Sequence, residues 1–309
     1  MKGEKALAWV AFAIVCVVWG TTYLAIRIAI ETIPPLLMTG ARFTIGGAVI
    51  LLFARFRGEA IPRDFRTLAN LAFVGFLMVG IGNLAVVWAE QWVPSGMAAL
   101  LVATAPFWMA MLQLMRRDGE RLDLRGSLGI AAGFLGVVLL VTPRSAGASF
   151  GQQFMIGALA IQLGAIAWQI GSLRSKYSLK DVPLLSSAAL QMLFGGAIVL
   201  VAGVIIGEVP RLHFNPRTLG AFLYLTIAGS IIAYSAYIYA LAHLPTAQTS
   251  LHAYINPVVA VILGWLILSE SMTWTSIVAM GVILAGVALV QTAKIRTRAV
   301  DSGQAVARA

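Results

Sequence analysis

The sequence predicts an all-α integral membrane protein of ten transmembrane helices arranged as two inverted five-helix repeats. Three observations lead there. Of 309 residues, 60% are hydrophobic and 11% charged, with a mean hydropathy of +0.90, a composition that excludes an ordinary water-soluble globule. Apolar runs of bilayer-spanning length recur ten times. Matching residues recur at offsets of 149–151 along the chain.

The runs lie at roughly 7–30, 34–54, 67–89, 95–115, 126–142, 154–173, 183–206, 218–241, 246–268 and 274–292, each near the ~20 residues a spanning helix needs. They leave about a hundred residues for loops and tails, too little for a soluble domain. The first run follows Lys2 and Lys5 and has no clear small-residue cleavage site, so it reads as the first span, not a signal peptide. With the N-terminus inside, 17 of the 22 Lys and Arg residues fall in inner segments, against Arg144, Arg211 and Arg217 outside. Both termini are therefore expected in the cytoplasm, and the net charge of +10 is topological, with no nucleic-acid footprint. The one cysteine, Cys16, permits no disulfide framework and no thiol metal cluster.

The repeat rests on several matches in chain order. Pro94-Ser95-Gly96 with Pro106 matches Pro245-Thr246-Ala247 with Pro257, and Arg66-Thr67-Leu68 matches Arg217-Thr218-Leu219. Gly46-Gly47-Ala48 matches Gly195-Gly196-Ala197, Trp19 matches Trp168, Glu120 matches Glu270 and Gly136 matches Gly286. Five spans per repeat is odd, so the second copy must enter the membrane upside-down, the plan of secondary transporters with a midplane site between halves. The divisions expected are a first repeat over 1–145, a second over 150–293 and a cytoplasmic tail over 294–309.

The stretch Trp19-Gly20-Thr21-Thr22-Tyr23 through Ile26-Arg27, then Pro34-Pro35 and Arg42-Phe43, resembles the opening of the ten-helix EamA-type exporters of the drug/metabolite transporter superfamily. So do Gly82-Asn83, Ala89-Glu90, Val93-Pro94-Ser95-Gly96 and Tyr254-Ile255-Asn256-Pro257. The likeness covers nearly the whole chain and is nearest the YedA-like bacterial inner-membrane group. It implies export of amino acids or small metabolites across the inner membrane, driven by protons or another gradient. It also implies a central cavity lined mainly by helices one, three, four, six, eight and nine. The superfamily's phosphate-carrying branches imply clustered cavity cations, which this chain lacks.

Charged groups inside spans are functional candidates by default. Arg27 and Arg42 flank Pro34 at similar depth, about 10 Å below the outer hairpin. Glu31, at i+4, is placed to pair with Arg27, and Glu90 is placed to neutralise Arg42. Two readings stay open for these four: stapling of helices with outward snorkelling, or an outer gate that attracts a substrate carboxylate. Glu90 is also the best candidate for a coupling proton, since no carboxylate falls at mid-membrane.

Gln248, His252 and Asn256, at i, i+4 and i+8, predict one polar stripe on the ninth span. Trp19, Tyr23, Trp168, Tyr234 and Tyr237 predict an aromatic cavity wall, with Asn83, Gln162 and Gln169 adding hydrogen-bonding groups. Pro106 and Pro257 remove backbone bonds to Val102 and Ala253 and predict kinks with freed carbonyls. No catalytic set, metal site or cofactor is expected: there is no His-Glu-x-x-His and no Walker sequence, and His213, His243 and His252 are the only histidines. The expected partners are a small-molecule substrate, the lipid bilayer and protons, for a monomer. A sensory or structural membrane protein is the alternative, and an intramembrane enzyme is a weaker one.

Overall fold

The computed structural model describes residues 2–116, 119–145, 151–268, 274–293 and 295–297. Glu270 and the tail beyond Thr297 lie outside them. The described chain is almost wholly helical. The ten segments are α1 (Lys2–Ala29), α2 (Pro35–Phe56), α3 (Phe65–Ala89), α4 (Ser95–Met115), α5 (Leu124–Ser145), α6 (Gln152–Ser178), α7 (Leu184–Ile205), α8 (Pro216–His243), α9 (Thr246–Thr249 continued by His252–Leu268) and α10 (Trp274–Thr292). Seven of these, α1–α4 and α6–α8, are long and apolar enough to cross a membrane by length and composition. Large apolar side chains such as Leu24, Val49, Phe53, Leu163 and Val201 are exposed on their outer faces. Such a surface suits hydrocarbon and not water.

The all-α expectation needs one correction. Glu120–Leu122 (β1) pairs antiparallel with Ile295–Thr297 (β2), Arg121 opposite Arg296. The first residues past α10 thus return to the loop after α4.

Helix starts follow their sequence. Pro34, Pro94, Pro183 and Pro245 sit at the N-caps of α2, α4, α7 and α9, where fixed φ sets the chain direction and a missing N–H costs no helical bond. Asp64 caps α3 by accepting from Thr67 N at 2.8 Å, and this bond holds its exposed carboxyl below the usual carboxylate range. Asn215 and Thr218 form a reciprocal capping box at α8.

Among the described residues the most extensive helix pairing is α2 with α7, both 22 residues long. A methyl group on Gly47 would lie 2.6 Å from Leu193 N, and one on Gly196 would lie 2.6 Å from Thr44 N. Only hydrogen fits at these crossings. Each helix ends at a glycine in the left-handed region, Gly58 (φ 73°) and Gly207 (φ 79°), a conformation that side chains disfavour. The residue after each glycine then reaches the start of the other helix. Glu59 Oε2 accepts from Ser186 N at 3.2 Å and from its hydroxyl at 3.3 Å. Glu208 Oε2 accepts from Leu37 N at 2.9 Å. We expect Gly196→Val to destabilise the protein by about 1–3 kcal/mol through overpacking, read as a lower melting temperature in detergent. An unchanged melting temperature would refute this close approach.

Two further irregularities place the site. α3 contains a π-helical stretch, Phe76–Asn83, and α8 contains another, Leu225–Ile232. Such stretches recur at functional sites because they shift side chains out of α-helical register and leave carbonyls free of their usual partner.

Candidate functional site

A cavity of about 730 Å³, open space included, lies between the first and second halves of the chain. α1, α3, α4, α6, α8 and α9 all line it, and so does α2 through Arg42 and Phe43. Seven of the ten residues expected in a cavity are on its wall: Trp19, Tyr23, Asn83, Trp168, Gln169, His252 and Asn256.

Its apolar wall is a cluster of rings. Trp19 meets Trp168 edge-on at 5.4 Å, Tyr237 at 5.1 Å and His252 at 5.0 Å between centroids. Trp19 is fixed by its Nε1, which donates to Gly229 O at 3.1 Å within the second π stretch. Tyr237 and Tyr234 do not line the cavity. The Tyr237 hydroxyl takes a bond from Trp168 Nε1 at 3.1 Å and shares one with Ser172 Oγ at 2.7 Å. The Tyr234 hydroxyl donates to Gln191 Oε1 at 3.1 Å. Both stand behind the wall and hold it.

The stripe on α9 is broken. The helix is interrupted at Ser250 and Leu251, so Gln248 turns away and its Nε2 donates to Gln291 O of α10 at 3.3 Å. His252 and Asn256 remain on the cavity. A carbonyl can only accept, so the 2.9 Å contact of His252 Nδ1 with Thr249 O places a proton on Nδ1. With its amide turned so that oxygen and nitrogen both find suitable neighbours, Asn256 donates through nitrogen to Cys16 O (3.2 Å) and His252 O (2.9 Å).

The two prolines sit differently relative to the helix breaks. In α4 the helix breaks at Ala103 and Thr104, and Pro106 is the second residue of the segment that follows. Gln162 bridges this break: its Oε1 accepts from Thr104 Oγ1 (2.9 Å) and Trp108 Nε1 (3.1 Å), and its Nε2 donates to Leu101 O (2.9 Å). Pro257 lies within a continuous segment, with the interruption of α9 several residues before it.

The four charged residues also rearrange. Glu31 does not pair with Arg27; it lies past the end of α1, where helical i,i+4 geometry is lost, and accepts from Arg217 at 3.1 Å instead. Arg27 Nη1 donates to the backbone carbonyls of Glu90 and Gln91. Arg42 is buried, with Nη2 donating to Asn83 Oδ1 and its guanidinium 4.5 Å above the Phe43 ring. Among the described residues no carboxylate lies within 4.0 Å of it, so Glu90 is not its direct ion-pair partner. Glu90 is fully buried, and neither carboxyl oxygen has a hydrogen-bond partner.

At the opposite end, the helices are tied together by a cluster that spacing along the sequence does not reveal. Glu120 Oε2 accepts from Thr246 N (2.9 Å), Thr246 Oγ1 (2.8 Å) and Ala247 N (3.5 Å) at the start of α9. Lys176 Nζ lies 3.6 Å from Glu120 Oε1 and donates to Leu244 O. Gln113 Nε2 donates to Thr246 Oγ1 at 2.7 Å, and Gln113 Oε1 accepts from Glu120 N at 3.2 Å. The only signal for this cluster was the repeat match of Glu120.

The sequence model of the EamA-like transporter family matches residues 6–142 and, again, 155–292. An uncharacterized inner membrane transporter of Escherichia coli (strain K12), YedA, is 38% identical over 283 residues, 90% of this chain and 88% of the relative. The uncharacterized transporter YoaV of Bacillus subtilis (strain 168) is 24% identical, over 84% of this chain and 88% of its own. One solved crystal structure superposes with a TM-score of 0.77 over 91% of this chain and 95% of its own, at 22% identity, and shows likeness of fold.

Proposed function

This chain belongs to the EamA-like transporter family, and from that premise we propose that it exports small amphipathic metabolites, amino acids or close relatives, across the cytoplasmic membrane by alternating access. It is a multi-pass membrane protein and a transporter by family. One observation carries the finer reading: a ring-walled cavity between the two halves, with helix ends joined at one side by Glu120, Lys176 and Thr246. A transporter of this kind needs a central site and separable closures at its two ends.

In this reading the halves, 1–145 and 150–293, are inverted copies. Support comes from the repeated family match and from features that recur 149 residues apart, namely the Gly58-Glu59 and Gly207-Glu208 ends and the two π stretches. The Glu120 end faces the cytoplasm, with both termini, as the loop charges require. Export is driven by the metabolite's own outward gradient and coupled to a proton held on Glu90. That carboxyl is buried with neither oxygen hydrogen-bonded, so burial favours its protonated form while Arg27 and Arg42 favour the ionised one. The protein works as a monomer.

The test is efflux of labelled amino acids from proteoliposomes containing the purified protein. We expect saturable efflux of one class, faster with the lumen acidified. No efflux across a broad panel, from protein shown to be folded, would overturn the proposal.

A further inference from the structure

We infer that Arg42 is the carboxylate-binding group of the cavity, and that Gln169 accepts an N–H from the same bound molecule. The inference rests on the transport reading and specifies its ligand. Arg42 is on the cavity wall yet only 2% exposed, and its Nε has no hydrogen-bond partner. Its protein contacts are the neutral Asn83 amide and the Phe43 ring face. A buried guanidinium is costly, and Glu90 offsets that cost only from a distance, since no carboxylate of the described residues is within 4.0 Å. The planar fork of its N–H groups is the shape that a carboxylate fits with two parallel bonds.

Gln169, on α6, lines the same cavity at 1% exposure, and its Oε1 has no partner. Among the polar atoms buried in the cavity wall, Arg42 Nε and Gln169 Oε1 are thus an unmatched donor and an unmatched acceptor. A ligand that satisfies both carries a carboxylate and an N–H, as an α-amino acid does. The Trp19 and Trp168 rings supply the surface for its apolar part. A phosphate dianion fits less well, because one guanidinium offsets one negative charge. Asn83 acts as a positioning residue, holding the guanidinium through Nη2.

The inference is tested by binding to the full-length protein in detergent, followed by tryptophan fluorescence at one fixed pH. The probes are L-phenylalanine, 3-phenylpropionate, which lacks the amine, and phenethylamine, which lacks the carboxylate. Wild type is expected to bind L-phenylalanine most tightly and phenethylamine at least thirtyfold more weakly. Arg42→Gln should abolish this preference for the acid, while Arg42→Lys should recover part of it. Gln169→Leu should weaken L-phenylalanine about tenfold and leave 3-phenylpropionate unchanged. Because Arg42→Gln can fail to fold, the wild-type ranking stands as an independent test. Binding of phenethylamine as tightly as the acids, binding of none of the probes, or an unaltered preference in folded Arg42→Gln overturns the inference. Carboxylate-dependent binding without efflux supports the site and overturns the transport reading. Efflux of molecules that have no carboxylate does the reverse.

Discussion

Glu120→Ala is expected to lower transport at least tenfold while exposing the cavity from the Glu120 end. That side chain is 9% exposed and holds the start of α9 through two short bonds to Thr246 and a longer one to Ala247, with Lys176 alongside. Hydrogen bonds to a charged group contribute about 1.5–3 kcal/mol each. Losing two of them therefore shifts the balance toward the state open at this end by roughly a hundredfold or more. A carrier held in one state cannot complete its cycle. The measurement is labelling of a cysteine placed at Ala105, on the cavity wall, in a Cys16→Ser background. Labelling from the Glu120 side should accelerate with Glu120→Ala as flux falls, and Glu120→Gln should lie between. Equal labelling rates in the presence and absence of Glu120 would show that the cluster does not close the cavity.

Glu90→Gln should make transport independent of pH while preserving substrate binding. Glu90 is approached by Arg27, Arg42 and Tyr23, and it draws on Arg42 when ionised. As pH rises and Glu90 loses its proton, the new negative charge competes with a carboxylate ligand for Arg42, so wild-type affinity should weaken. As pH falls, the competition is removed and proton and carboxylate are bound together. The amide mimics the protonated form and should hold the low-pH affinity throughout. Flux measured between about pH 5 and pH 8 decides this, and a variant with the wild-type pH profile would remove Glu90 as the proton site.

The helices were legible because a bilayer imposes a length and a polarity that composition cannot hide. The stretches 95–115 and 274–292 coincide with the helices found there. Cavity residues were legible where they lie on regular helix, as Trp19, Tyr23, Trp168 and Gln169 do. What failed was inference by helical spacing across a break. The i, i+4, i+8 pattern that joined Gln248 to Asn256 assumes continuous helix, and the interruption at Ser250 and Leu251 removes that assumption. Proline located the break in α4 but not the one in α9. The pairing of Glu31 with Arg27 failed for a related reason, since α1 ends at Ala29. Contacts such as Glu120 with Thr246 join residues 126 positions apart, and no local pattern encodes them. The π stretches have the apolar composition of ordinary helix, with Gly80, Gly82 and Gly229 as their faint mark.

The crossed carboxylates of Glu59 and Glu208 have a consequence for descent. In the vocabulary of oligomers, a contact in which residue i of one unit meets residue j of the other, and j meets i, is isologous. α2 and α7 meet in this way: Gly47 faces Leu193 as Gly196 faces Thr44, and each helix's terminal glutamate completes the other's first turn. In the inverted-repeat reading proposed above, such a surface would be complete in a single five-helix unit able to insert in either direction. Two copies of such a unit would form both clamps, Glu59 to Ser186 and Glu208 to Leu37, across one shared surface.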